Sequence, residues 1–127
     1  MKIALRLFAA ALLLTFIAGA CTSANGKTGG LEIRVANRSD RDFDRVDVTF
    51  TSDKIEYGAI PKGGVSAYKP VKEAYRYAKI DIVANGETFT FQPIDFVGET
   101  LLEPGRYTYA LNIDPTDHMV TIDLVKD

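Results

Sequence analysis

Residues 74–91 read AYRYAKIDIVANGETFTF, and this stretch decides the fold. Asn85-Gly86 stands between two runs that alternate apolar and polar residues. In the tight turn that joins antiparallel strands, both central residues take positive φ, which Asn and Gly tolerate best. The stretch therefore predicts a β-hairpin. In its first arm Ala74, Ala78, Ile80, Ile82 and Ala84 share one face, with Arg76 among them. Tyr75, Tyr77, Lys79, Asp81 and Val83 share the other. Period-two alternation is the signature of a half-buried strand.

The same period recurs on both sides. Downstream, Gln92 to Thr100 is irregular, broken by Pro93 and Gly98. Tyr107, Tyr109, Leu111 and Ile113 then form one face of a strand, and Val120, Ile122 and Leu124 the inward face of the last one, after a turn at Asp114-Pro115-Thr116-Asp117. Upstream, Leu31, Ile33 and Val35 alternate with charged residues, and Val46, Val48 and Phe50 do so again after the turn formers Asn37 to Asp40. Lys54 to Ile60 is a weaker run, closed by the turn signal Pro61-Lys62-Gly63-Gly64. Val65 to Lys69 reads as a short edge strand that Pro70 ends.

The hexapeptide Leu102-Glu103-Pro104-Gly105-Arg106-Tyr107 resembles the Leu-x-Pro-Gly-x-Tyr stretches that precede a strand in Greek-key sandwiches such as fibronectin type III-like domains. The resemblance implies a tyrosine corner, in which the Tyr107 hydroxyl turns back onto the upstream backbone. Outside the N-terminal segment no stretch of ten residues carries a convincing 3.6 period. About seven short strands at this spacing predict an all-β chain, an antiparallel β-sandwich of immunoglobulin-like or related Greek-key kind, over residues 31–127.

Residues 1–20, MKIALRLFAAALLLTFIAGA, have the layout of a helical secretory signal peptide. Lys2 and Arg6 are basic, Leu7 to Ile17 is apolar, and Ala18, Gly19 and Ala20 are small. The apolar run is shorter than the about 20 residues of a membrane-spanning helix. It ends at Cys21, the chain's one cysteine. Ala18-Gly19-Ala20-Cys21 resembles the lipobox of bacterial lipoproteins, although that family prefers Leu where Ala18 stands. The resemblance implies cleavage before Cys21, acylation of its thiol, and attachment to a membrane of the cell envelope. Thr22 stands where an Asp would signal inner-membrane retention in enteric Gram-negative bacteria, so the outer membrane is expected. Acylation also removes a lone thiol, which in an oxidising compartment invites mispairing.

Cleavage would remove two basic residues and no acid, taking the formal charge from −2 to −4. That argues against nucleic acid, whose phosphates demand a basic face. Residues 21–30, small, polar and Gly-rich, read as a tether that flexible-chain statistics give a reach of roughly 15–18 Å.

Catalytic and metal patterns are weak, and no cofactor is expected. His118 is the only histidine, and one imidazole with no thiol partner cannot build a zinc site. Ser39, Ser52 and Ser66 lack the Gly-x-Ser-x-Gly setting of an activated nucleophile. Asp40, Asp42, Asp44 and Asp47 lack the spacing of a calcium loop and are interleaved with Arg38, Arg41 and Arg45. Asp114 and Asp117 read as a turn. Asp95 and Glu99 are two acids in a domain too small to enclose a sugar deeply.

The aromatic residues are better candidates. Tyr68, Tyr75 and Tyr77 fall within ten residues, among Lys69, Lys72, Arg76 and Lys79. On an exposed sheet face they would suit a protein partner or a carbohydrate; on a quieter reading they are a cross-strand ladder. Ile94, Phe96 and Val97 are apolar residues in a loop and should either tuck into the end of the sandwich or form a contact surface. The expected function is non-catalytic binding or scaffolding in the envelope, with Tyr68, Tyr75, Tyr77 and Phe96 as the binding surface. Carbohydrate binding is the alternative and a small hydrolase the least favoured reading.

Overall fold

The computed structural model describes residues 30–127, which form two four-stranded sheets packed face to face. The expected signal peptide, the lipobox-like stretch with Cys21 and all but the last residue of the expected tether lie outside the described residues. The strands are β1 (Leu31–Asn37), β2 (Arg45–Thr49), β3 (Lys54–Glu56), β4 (Lys69–Val71), β5 (Lys79–Ala84), β6 (Glu87–Phe91), β7 (Gly105–Ile113) and β8 (Val120–Lys126). One sheet has the order β4-β1-β7-β8 and the other β3-β2-β5-β6. The described residues are all-β, as the alternation predicts, with one strand more than the sequence marks.

All pairings are antiparallel except β1 with β7, where Leu31 to Asn37 run parallel to Gly105 to Leu111. Strand order also departs from the immunoglobulin form. There the first and second strands share a sheet, whereas here β1 and β2 lie in opposite sheets. The turn formers between them carry the chain across the core. Hairpin geometry is local, but a parallel pairing is made by residues far apart in the chain, so no local signal announces it.

The β5–β6 hairpin closes through Asn85 at φ 53° and Gly86 at φ 76°, with Ala84 opposite Glu87. Both turn residues are left-handed, as a two-residue turn of this kind requires. Asp44 Oδ2 accepts the Asn85 amide at 3.0 Å and pins the turn to the start of β2. Pro70 sits inside β4 rather than ending it, and β4 is a sheet edge, where a missing donor costs nothing.

The inner faces carry the predicted alternation. Ile33, Val35, Val46, Val48, Ile80, Ile82, Ala84, Tyr109, Leu111 and Ile113 are all fully buried. Burying one side chain of this size contributes about 1.5–3 kcal/mol, and with no second cysteine in the chain this core holds the fold without a disulfide. Two buried tyrosines, Tyr57 and Tyr107, bind backbone carbonyls, one across the core and one locally. Tyr57 Oη donates to the Ile33 carbonyl at 2.8 Å, joining the end of β3 to the opposite sheet. Tyr107 Oη donates to the Glu103 carbonyl at 2.8 Å, which is the geometry of the tyrosine corner.

Asn37, at the end of β1, is 1% exposed. Its Nδ2 donates to the carbonyls of Arg41 and Ile60 at 2.8 and 2.9 Å. Its Oδ1 accepts from the Ser39 amide and hydroxyl at 2.9 and 2.7 Å. A residue that reads as a turn former is thus a buried hub for the chain's crossing between sheets.

Candidate functional site

The predicted tyrosine face is divided between two places. Tyr68 lies just before β4, on the outside of the first sheet. Its ring has the guanidinium of Arg34 at 4.8 Å and that of Arg106 at 4.6 Å from the centroid. Its hydroxyl donates to Asp127 Oδ2 at 2.7 Å, an oxygen that also accepts from Thr108 Oγ1 at 2.6 Å. Arg106 is itself bound to Glu32 at 2.9 Å. Cation–π and carboxylate contacts therefore occupy Tyr68 within its own sheet.

Tyr75 and Tyr77 sit elsewhere. The strand run predicted from Ala74 begins only at Lys79, and residues 72–78 form a loop. The crossing from one sheet to the other breaks the period, so a cross-strand ladder does not form. Ala74 and Ala78 are buried as their spacing predicts. Between them the two tyrosines project towards the 92–104 loop. Tyr75 and Phe96 stack at 4.6 Å between centroids and 18° between planes. Tyr77 stacks on Phe96 at 5.4 Å and meets the edge of Phe91 at 6.3 Å.

Three further contacts join the two loops, and a fourth ties one of them to β7. The Leu102 amide donates to the Ala74 carbonyl at 2.8 Å. Arg76 pairs with Glu99 at 3.2 Å, and Tyr77 Oη donates weakly to the Asp95 carbonyl at 3.4 Å. From below, Tyr109 Oη donates to the Tyr75 carbonyl at 2.5 Å. Burial pushes the Tyr109 phenol far above its ordinary pKa, so it remains a protonated donor.

These loops enclose a pocket of ≈ 200 Å³. Tyr75, Tyr77 and Phe96 form its aromatic wall, with Phe50, Ala74, Ala78 and Pro93 beneath and Thr49, Thr51, Lys79 and Gln92 at its polar margin. Thr49 and Lys79 alternate with the buried Val48 and Ile80, so they lie on the outer face of the second sheet and the pocket opens on that flank. Phe50, Phe91 and Gln92 belong to the site without any signal in the sequence. Each follows or ends a strand and reads as core or connector, and only the meeting of two loops distant in the chain assigns it here.

The other apolar loop residues split. Phe96 is half-buried in the pocket wall, while Ile94 and Val97 are 98% and 87% exposed. The two-sided turn explains this: successive residues of an extended or turning segment cannot all face one side.

The remaining candidates are engaged locally. Ser39 and Ser66 bind neighbouring backbone, Ser39 at Arg41 and Ser66 at Val35 and Ala67. His118, at φ 62°, meets the edge of Phe89 at 6.0 Å. Asp42 caps the Lys62 amide, Asp47 lies 3.3 Å from Arg45, and Asp114 accepts the amides of Thr116 and Asp117. Among the described residues no three His, Cys, Asp or Glu side chains gather as metal ligands.

The Asp127 carboxylate is held below the usual range by the donors Thr108 and then Tyr68, with Arg34 adding to them against partial burial. A depressed carboxylate pKa contributes stability that is present above the unfolded value and lost as pH falls through the folded one. Acidifying the full chain below about pH 4 should therefore lower its thermal midpoint. Tyr68→Phe should shrink that dependence, and a pH series of unfolding curves for the two proteins checks it.

No protein-family model matches the chain, and no curated protein sequence matches it. Among solved structures, it is similar to a protein from Eubacterium rectale determined by NMR. That likeness has a TM-score of 0.55 at 13% identity, and covers 83% of this chain and 97% of the other. At that identity it speaks for the β-sandwich alone.

Proposed function

We propose that this chain is a lipid-anchored protein of the bacterial cell envelope, most plainly of the outer membrane, whose β-sandwich is a non-catalytic binding domain. The anchor is Cys21, and the binding site is the pocket walled by Tyr75, Tyr77 and Phe96. The observation that carries the reading is that pocket. It is apolar and aromatic, it is built by two loops fastened to a rigid core, and polar groups stand only at its margin.

Its size favours a protein partner. Sites for free small molecules occupy about 300–1,000 Å³, and ≈ 200 Å³ suits one apolar side chain presented by another protein. Anchors of this kind, seated in aromatic pockets, dominate binding energy at interfaces. Carbohydrate stacking is less well supported, because Tyr75 and Phe96 turn ring faces towards each other rather than leaving them free for a sugar.

The test is in-cell cross-linking of the tagged, membrane-anchored full chain, followed by recovery of its partners. Phe96→Ala and Tyr75→Ala should each weaken the dominant cross-link by about 2 kcal/mol of binding free energy. Tyr68→Ala, on the other sheet, should leave it intact. Equal cross-linking by all three variants, with thermal unfolding unchanged, would rule out the pocket as the binding site.

A further inference from the structure

The aromatic pocket occupies one side of the 92–104 loop, and the other side bears Ile94 and Val97. These two are the most exposed large hydrophobic residues among those described, at 98% and 87%, with Leu101 at 42% nearby in the chain. Their display is built in. Glu99 N donates to the Phe96 carbonyl at 3.0 Å, closing a turn with Gly98 at φ 81° in its third place, where a type II turn requires positive φ. Asp95 Oδ1 accepts the Val97 amide at 3.1 Å and fixes the turn's entry. An exposed pair of aliphatic side chains on an ordered turn has no role in the core, against which Leu102 of the same loop packs instead.

The position of this turn in the fold identifies what it meets. Strands β1 and β7 run parallel, with Leu31 beside Gly105, and Gly105 N donates to the Gly30 carbonyl at 3.1 Å. The loop that leads into β7 therefore lies at the same end of the sandwich as Gly30, where residues 21–29 join. The nine peptide units from Cys21 to Gly30 span at most roughly 30 Å even when fully extended. An acylated Cys21 would thus keep this end, the one nearest the attachment, within reach of the bilayer. The remaining exposed large hydrophobics, Val65 and Met119, are single residues at the far end, beside Ala36 and between β7 and β8.

We infer that Ile94 and Val97 insert into the lipid surface beside the anchor, so that the sandwich stands on the bilayer on its 92–104 loop. This rests on the reading of Cys21 as the acylated residue. Aliphatic tips with tyrosines behind them suit the boundary between acyl chains and headgroups. The charged residues of the two loops, Lys72 and Arg76 against Glu73, Asp95, Glu99 and Glu103, leave a small acidic excess, so contact does not depend on anionic lipid. One consequence joins the proposed function. The pocket opens on the flank marked by Thr49 and Lys79, so a docked sandwich would hold it close to the membrane and accessible.

The chain contains no tryptophan, which makes a single introduced one a clean reporter. Full-length protein, matured in a bacterial envelope, purified and returned to phosphatidylethanolamine–phosphatidylglycerol vesicles, carries Ile94→Trp, Val97→Trp or, as the far-end control, Met119→Trp. Mass spectrometry first reads acylation of Cys21. The expected result is blue-shifted emission from the first two, quenched by lipids brominated along the acyl chain, with the control neither shifted nor quenched. Unacylated protein overturns the anchor and the docking built on it. Acylated protein with unshifted emission at both loop positions overturns the docking while leaving the anchor standing. Equal quenching of the control overturns the orientation. A blue shift without bromolipid quenching means that protein, a second copy included, covers the turn, and it also overturns the inference.

Discussion

Asn37→Leu is expected to destabilise the domain by about 3–5 kcal/mol, a large share of the about 5–15 kcal/mol that holds a domain of this size. The side chain is 1% exposed and makes four hydrogen bonds. Leu has the same branching and the same number of side-chain heavy atoms and is bulkier, so the loss does not come from a cavity. It comes from the Ser39 amide, which loses its acceptor in a buried place, and from the carbonyls of Arg41 and Ile60, which each lose one of two donors and keep only the Ser39 hydroxyl and the Phe43 amide. Each buried group left unsatisfied costs about 1–3 kcal/mol. Asn37→Asp separates the two halves of the effect. It keeps the acceptor for Ser39 but places a carboxylate against two carbonyl oxygens, so its stability should rise as pH falls and the acid becomes a donor. Thermal unfolding of the full chain in detergent, followed by circular dichroism at several pH values, measures both. A loss below about 1 kcal/mol for Asn37→Leu would show that the crossing between sheets does not depend on this hub.

Tyr109→Ala should cost about 3–5 kcal/mol, the usual range for removing a buried aromatic ring. The ring is fully buried and lies 5.9 Å from that of Phe50. Tyr109→Phe is the more instructive change. It keeps the ring and removes only the hydroxyl that binds the Tyr75 carbonyl, at an expected cost of about 1–2 kcal/mol. That bond ties the 72–78 loop, and with it one wall of the pocket, to the centre of the first sheet. Tyr109→Phe should therefore weaken the partner cross-link beyond its modest effect on folding, although residue 109 does not line the pocket. Parallel unfolding and cross-linking measurements check this. A cross-link unchanged in Tyr109→Phe would mean that the contacts among Tyr75, Tyr77, Phe96 and Leu102 suffice to hold the pocket's shape.

The strands were legible because their signal is local. Alternation in Ile80 to Ala84 and in Tyr107 to Ile113 follows from a pleated backbone with one wet face, and a window of a few residues contains it. Asn85-Gly86 was legible for the same reason, since positive φ at two successive residues selects few side chains. Tyr75 and Tyr77 misled because they continue the period of the strand that follows them, while the backbone there is turning between sheets. Tyr68 misled by proximity in sequence. Only six residues separate it from Tyr75 in the chain, but β4, at the edge of one sheet, with the crossing to β5 in the other, separates them in space.

By itself the sequence determined the strand-forming segments, the hairpin turn and the corner at Tyr107, because each depends on the conformational preferences and hydrophobic period of neighbouring residues. The lipobox-like Ala18-Gly19-Ala20-Cys21, on which the proposed anchor rests, is likewise a linear motif. Only the tertiary structure decided that β1 lies parallel to β7, that Asn37 is a buried hub, and that Phe96 joins Tyr75 and Tyr77 in a pocket while Ile94 and Val97 face outwards beside Gly30. Those facts depend on contacts between residues far apart in the chain. Such contacts are fixed by the packing of the whole core, and no short stretch encodes that packing.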